Sequence, residues 1–155
     1  MARYTASQEE RALADGETTR MKEKAREGRC LCGAVSYKVR GEPLRVGICH
    51  CQECRQSSGS AFAMFAIWLR EASEWEGELQ TYGTRGFCPT CGSRVAFLSD
   101  EEVEIMAGTL NDGPSGLIPQ YELWIPRREH WLPPVKGAKQ FNRDRHDDAD
   151  SSDEP

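Results

Sequence analysis

Seven cysteines are the residues of this 155-residue chain whose spacing suggests chemistry. They fall in three clusters, which are Cys30 and Cys32, then Cys49, Cys51 and Cys54, then Cys88 and Cys91. An odd number of tightly clustered thiols, in a chain without a secretion signal, argues against a disulfide framework. Thiols this close together in a reducing compartment usually bind metal ions. We therefore predict metal sites.

Each two-cysteine cluster has the spacing of a metal-binding pair. In the segment FCPTCGS, Gly92 follows the second thiol and lets the backbone turn so that its amide can face a thiolate, which is a strong zinc signal. A C-x-C pair in a strand points both sulfurs to one face, because side chains alternate with a period of two. Either kind of pair can therefore hold a metal ion with two sulfurs.

Seven thiols divide naturally into four and three, but spacing alone does not say which ones join. A zinc ribbon made of Cys51, Cys54, Cys88 and Cys91 would leave the other three cysteines outside its metal site. The other division gives a four-thiol cluster of Cys30, Cys32, Cys88 and Cys91 and a thiol trio of Cys49, Cys51 and Cys54. Adjacency favours the second division, because three ligands within six residues converge at little cost in loop entropy.

The trio raises the question of a fourth ligand. Structural zinc takes four protein ligands, whereas catalytic zinc takes three and leaves a position open for water or substrate. His50 lies between two of the thiols, and in an extended segment its ring points away from both sulfurs. We therefore interpret His50 as a packing or hydrogen-bonding residue. The alternatives for the trio are a structural zinc completed by another residue and a thiol cluster without metal.

The composition is that of one polar domain with charged ends. The length suits a single domain, and the net charge of −5 is concentrated in residues 144–155, which hold six acids and one arginine. No basic field is present to bind nucleic acid. The longest apolar stretch, residues 61–69, is far shorter than the roughly 20 residues that span a bilayer. Without an apolar leader, we expect a soluble, cytoplasmic protein.

Short runs broken by glycine and proline predict a β-rich domain with little helix. Val35, Tyr37 and Val39 alternate with polar residues, as in a half-buried strand. Further strands are predicted at 44–48, 62–68, 79–82, 94–98 and 103–106, and a turn or one short helix after Cys54. The acidic segments EWEGE and SDEEVE are interpreted as solvated strand ends and turns. We expect a domain at 28–143, a charged, frayed or disordered extension at 1–27 and an acidic disordered tail at 144–155.

Four segments of the chain carry a family resemblance, and they are GRCLCGAVSYKV, CHCQECRQSSGSAF, RGFCPTCGSRVAF and MAGTLND. In order and spacing they resemble the glutathione-dependent formaldehyde-activating (GFA) family, whose relatives include the centromere protein V domain. The C-terminal YELWIPRREHWLPPVKGAKQF is similar to the closing segment of that family. The resemblance covers residues 28–143.

The resemblance implies a mainly β, single-domain β-tent fold, built from small antiparallel sheets around two zinc ions. The four-thiol cluster would hold a structural zinc, and Cys49, Cys51 and Cys54 would hold a catalytic one. The named activity joins glutathione to formaldehyde, giving S-(hydroxymethyl)glutathione, and in reverse it is a carbon–sulfur lyase. We therefore expect a zinc-dependent carbon–sulfur lyase or synthase acting on a thiol such as glutathione and on formaldehyde or a similar small aldehyde. Neither a nucleic acid nor a membrane is an expected partner.

Glutathione has two carboxylates, so its site should present cationic or amide donors. Arg55, directly after the trio, is the best-placed candidate, with Arg85 and Arg94 as weaker ones. For each of the three, the alternative is a surface arginine or one that braces the core. Two other functions stay open, which are a non-catalytic zinc module that binds protein partners and stoichiometric scavenging of metal or aldehyde.

Overall fold

The computed structural model describes residues 24–145. Its eleven strands are β1 (Ala25–Arg29), β2 (Ser36–Arg40), β3 (Arg45–Cys49), β4 (Ala63–Leu69), β5 (Ser73–Glu76), β6 (Gln80–Tyr82), β7 (Arg85–Phe87), β8 (Arg94–Leu98), β9 (Glu102–Met106), β10 (Tyr121–Leu123) and β11 (Lys139–Gln140). The strands form a three-stranded sheet in the order β1-β2-β5 and an eight-stranded sheet in the order β11-β10-β3-β4-β9-β8-β7-β6. The predicted mainly β fold is confirmed.

The larger sheet is antiparallel except at one edge. Its β10 runs parallel to both β3 and β11, while all other pairs are antiparallel. The expectation of small antiparallel sheets therefore describes the three-stranded sheet, and the larger one is mixed. Parallel neighbours need a long crossover connection, and the chain between β3 and β10 passes through β4 to β9 before it returns.

The two faces of the larger sheet contribute to two different buried clusters. One face packs against the three-stranded sheet in the main core, where Val39, Trp68, Val103 and Ile105 are among the fully buried residues. The opposite face carries Cys49, Phe65, Ile67 and Tyr121, which form a second buried cluster. Strand β4 lies between both clusters, which explains its continuous apolar run, because a strand covered on both faces has no solvent side.

One α-helix, α1 (Gln52–Ser58), follows the end of β3 directly. The sulfur of Cys51 accepts a hydrogen bond from the Cys54 N–H at 3.4 Å and so caps the first turn. The helix ends at Gly59, whose φ of 61° is left-handed. The short helix allowed after Cys54 therefore exists, and it begins two residues before that cysteine.

The six predicted strands coincide with β2, β3, β4, β6, β8 and β9 to within one or two residues at each end. The strands that the patterns did not predict are β1, β5, β7, β10 and β11, of which the last two are only three and two residues long. Strand β1 begins at Ala25, so residues 25–27 belong to a sheet although they were assigned to the N-terminal extension. The rest of that extension up to residue 23, and the tail from 146 onward, lie outside the described residues.

None of the helices within residues 24–145 has the length and apolar character that spanning a bilayer requires.

Candidate metal centres and active-site cavity

The structure brings the four-thiol cluster together. The sulfurs of Cys30, Cys32, Cys88 and Cys91 all lie within 4.8 Å of one another. The Cys30 and Cys32 sulfurs are 3.5 Å apart, and the Cys32 and Cys88 sulfurs are 3.8 Å apart. Four sulfurs at about 2.3 Å from a tetrahedral zinc ion lie about 3.8 Å from each other. The donor set therefore fits a closed tetrahedral metal site.

Backbone hydrogen bonds fold the two pairs of this cluster. The Cys88 N–H donates to the Ser93 carbonyl at 3.0 Å, and the Gly92 N–H donates to the Cys88 carbonyl at 2.8 Å. Gly92 has a φ of 73°, so the predicted turn at this glycine is present, but its amide faces a carbonyl and not a thiolate. A thiol contact of this kind is made instead by the Val35 N–H, which donates to the Cys30 sulfur at 3.3 Å.

The thiol trio also converges, with its three sulfurs within 4.8 Å of one another. Cys49 ends β3, Cys51 is the N-cap of α1, and Cys54 lies in the first turn of that helix. No Cys, His, Asp or Glu elsewhere in residues 24–145 brings a ligand atom within this distance of all three sulfurs. Three soft donors without a fourth from the described chain fit a metal site with an open position.

The pKa values of the thiols in the trio are shifted in different directions. The pKa of Cys54 is lowered to about 6, first because Cys49 donates a hydrogen bond to its sulfur, and further by Cys51 and the charge of Arg94, while burial opposes the shift. The pKa of Cys49 is raised by the same hydrogen bond and by burial. Cys54 is therefore the thiolate of the metal-free trio at neutral pH.

His50 does not face the trio. Its side chain is fully buried, its Nε2 lies 3.6 Å from Oε1 of the equally buried Glu122, and its ring packs edge-on against Phe62. Burial lowers the pKa of His50, although the charge of Glu122 opposes this shift. The other oxygen of Glu122 accepts hydrogen bonds from Arg128 at 2.8 Å and from Gln140. His50 thus belongs to a buried polar group behind the trio.

The trio opens into a cavity of about 700 Å³ on the outer face of the larger sheet. Besides the three cysteines, its lining includes Phe65, Phe97, Leu123 and Trp124 as apolar surfaces. Trp124 has a left-handed φ of 57°, and its indole N–H donates to Asp144 Oδ1 at 3.0 Å. Asp144 also lines the cavity, so this residue is part of the site although it was assigned to the acidic tail.

Glu104 is a cavity residue that the sequence patterns missed. It lies within SDEEVE, which was interpreted as solvated strand ends and turns, yet it is only partly exposed and lines the cavity beside Cys54 and Arg94. Burial, reinforced by the charge of Cys54, raises the pKa of Glu104 to about 7. The available signal was its alternation with the buried Val103 and Ile105, which places Glu104 on the opposite face of the strand.

The candidate arginines occupy different places. Arg55 pairs with Glu129 and lines a separate cavity beyond α1, so it does not face the trio. Arg85 and Arg94 do line the cavity of the trio. Arg85 pairs with Glu53, and Arg94 donates to the hydroxyl of Ser57. The Nε of Arg94 is buried without a hydrogen-bond partner among the described residues.

Comparison with known proteins agrees with this geometry. The chain is 30% identical over 76 residues to an uncharacterized lyase of Schizosaccharomyces pombe, an alignment that covers 46% of this chain and 56% of that protein. The chain thus spans little more than half the length of this curated relative. The sequence profile of the family described as glutathione-dependent formaldehyde-activating enzyme matches residues 25–127, which is well over half of the chain and contains both cysteine clusters. The protein belongs to the glutathione-dependent formaldehyde-activating enzyme family.

Proposed function

We propose that this protein is a zinc-dependent carbon–sulfur lyase or synthase that adds a thiol such as glutathione to formaldehyde or a similar small aldehyde. The observation that carries the proposal is the thiol trio, which has no fourth ligand from the described chain and opens into a cavity of about 700 Å³. Family membership supports the reaction type. The name of the yeast relative, a lyase, agrees with the reverse direction.

We assign Cys49, Cys51 and Cys54 as ligands of a catalytic zinc and the four-thiol cluster as ligands of a structural zinc. A zinc ion in the trio would accept the substrate sulfur in its open position and lower the pKa of that thiol. The helix α1 positions Cys51 and Cys54, and β3 positions Cys49, so the three sulfurs keep their places between a strand and a helix.

The cavity also suits an anionic thiol. Arg85 and Arg94 line it with their guanidinium groups. The two carboxylates of glutathione are acceptors for such groups, because charge-assisted hydrogen bonds from guanidinium are short and strong. Phe97 and Trp124 would cover the apolar part of the substrate and exclude water.

The reaction joins the thiol sulfur to the carbonyl carbon. The S–H and the C=O π bonds break, and a C–S and an O–H bond form, so the thiol proton ends on the former carbonyl oxygen. Formation and breakdown of this adduct occur without a catalyst, so only acceleration above that background supports the proposal.

Exchange of formaldehyde with glutathione, measured by NMR with zinc-loaded protein at substoichiometric concentration, tests the function. We expect acceleration that is lost in Cys54→Ala. No acceleration with two zinc ions bound would overturn it and would favour a zinc module that binds protein partners.

A further inference from the structure

Glu104 lies in a row of side chains that crosses the cavity face of the larger sheet. Across the strand pairs, Ile67 of β4 is opposite Glu104 of β9, and Glu104 is opposite Phe97 of β8. Directly opposed residues in antiparallel strands share a face. Arg45 and Arg85 continue the row at its two ends. The carboxyl of Glu104 therefore sits between two apolar side chains, on the face that carries Cys49.

No cation within residues 24–145 forms an ion pair with this carboxyl, although the charges of Arg94, Arg45 and Arg85 reach it. Arg45 pairs with Glu102, and Arg85 pairs with Glu53, so both ends of the row are engaged elsewhere. Within residues 24–145, Glu104 makes no ion pair and no side-chain hydrogen bond. A carboxyl in a largely apolar setting without a partner costs folding free energy, so its place in the cavity is not explained by stability.

The other carboxyl groups of the cavity are occupied. Glu53 is the partner of Arg85, and Asp144 accepts the indole hydrogen of Trp124. His50, which lies between Cys49 and Cys51 in the sequence, belongs to the buried group with Glu122 on the far side of the trio. Among the described residues that line the cavity, Glu104 is thus the carboxyl free to take a proton.

Building on the proposed function, we propose that Glu104 carries the proton of the thiol–aldehyde reaction. Its carboxylate takes the proton of the substrate thiol when that thiol binds at the trio, and the resulting sulfur anion then attacks the carbonyl carbon. The electron pair of the C=O π bond moves to oxygen, and Glu104 returns the same proton to that oxygen. In the reverse direction it takes the hydroxyl proton of the adduct and gives it to the departing sulfur. No other reactant is needed.

The surroundings of Glu104 suit a group that both accepts and donates. Its pKa, raised by burial to about 7, lies near neutral pH, where a proton carrier works best. The titratable or charged groups that act on it come from five elements, and they are Cys54 of α1, Arg94 of β8, Arg45 of β3, Arg85 of β7 and Tyr121 of β10.

Glu104→Gln tests the role, because the amide keeps the shape of the side chain and cannot take the proton. We expect the acceleration of formaldehyde–glutathione exchange to fall about 100-fold or more, with zinc content unchanged. Glu101→Gln is the matched control, since Glu101 is exposed and lies outside the cavity. An exchange rate in Glu104→Gln equal to that of Glu101→Gln would overturn the proposal and leave the proposed function standing.

A binding measurement separates proton transfer from a packing role. Calorimetry of glutathione binding to zinc-loaded protein, without aldehyde, at about pH 8 and in buffers of different ionisation enthalpy, counts the protons released. We expect Glu104→Gln to release about one proton per site more than the wild type and Glu101→Gln, because the variant cannot retain the thiol proton. Equal proton release in all three proteins would overturn the role of Glu104. Failure of the wild type to accelerate exchange would instead overturn the proposed function, and this role with it.

Discussion

Nε2 of His50 lies 3.6 Å from Oε1 of Glu122, and both side chains are fully buried. In the sequence, His50 lies between Cys49 and Cys51. Glu122 lies on β10, whose Leu123 is opposite Cys49 in the parallel pair. The two side chains thus lie together at the ends of β3 and β10, on the side opposite the cavity.

Removing this buried carboxylate should weaken the fold. Glu122→Ala leaves Arg128 and Gln140 without their acceptor, and loss of one partner of a buried charged group costs about 3 kcal/mol or more. Urea unfolding measures the change. Glu42→Ala is the matched control, because Glu42 pairs with Lys24 at the surface and should change stability far less. Equal losses in both variants would contradict the role of Glu122.

The two thiol clusters should respond differently to the loss of one sulfur. Cys54→Ala removes a partly exposed thiol of the open site, so we expect one zinc ion per chain in place of two, near-normal stability and no acceleration of exchange. Cys88→Ala removes a buried thiol of the closed cluster and should lower the midpoint of thermal unfolding clearly. Metal analysis and thermal unfolding measure both effects. Similar destabilisation in the two variants would make both sites structural.

Arg94 should discriminate between thiols by charge. Arg94→Gln removes a cation from the cavity, and loss of a charge-assisted hydrogen bond should raise the KM for glutathione about 10- to 100-fold. The KM for a thiol without carboxylates, such as 2-mercaptoethanol, should change much less. Arg70→Gln serves as the control, since Arg70 is exposed and outside the cavity. A uniform loss for both thiols would assign Arg94 to holding α1 through Ser57.

Ionisation of Tyr37 should lower the free energy of unfolding at high pH. Burial raises the pKa of Tyr37 from 10.0 to about 12, although its hydrogen bond with Thr109 opposes the shift. The folded state therefore favours the protonated phenol, so this contribution to stability is complete below about pH 10 and is lost as the pH rises to about 12. About 3 kcal/mol should disappear over that window. The unfolding free energy of the wild type should fall over this window relative to that of Tyr37→Phe, whereas Tyr82→Phe, at an exposed site, should follow the wild type.

Gly77 should tolerate no side chain. A Cβ at this position would lie 1.9 Å from the Ala34 carbonyl oxygen, and the residue has a φ of 85°. Gly41 has a similar φ of 76° but no atom within 4 Å of a Cβ. Gly41→Ala should therefore lower the free energy of unfolding by about 1 kcal/mol, which is the cost of a left-handed alanine. Gly77→Ala should lower it by about 2 kcal/mol more, because of the steric clash. Chemical unfolding of the two variants measures the difference, and equal costs would show that the backbone at Gly77 moves freely.

Local patterns in the sequence were sufficient for much of the fold and for the close cysteine pairs. Val35, Tyr37 and Val39 alternate with polar neighbours because β2 buries one face, and that signal needs only the period of the strand. Cys88 and Cys91 lie close in space because a short turn joins them, whatever the rest of the chain does.

Long-range pairing decided the rest. Contacts between residues far apart in the chain decide four features. They are the grouping of the cysteine pairs, the parallel edge at β10, the pairing of Arg55 with Glu129 and the position of Glu104 in the cavity. Such contacts are selected by the packing of whole sheets, and no local period encodes them. The sequence alone therefore determined the thiol chemistry and the β-rich fold, and the tertiary structure decided which carboxyl and which arginines surround the thiol trio.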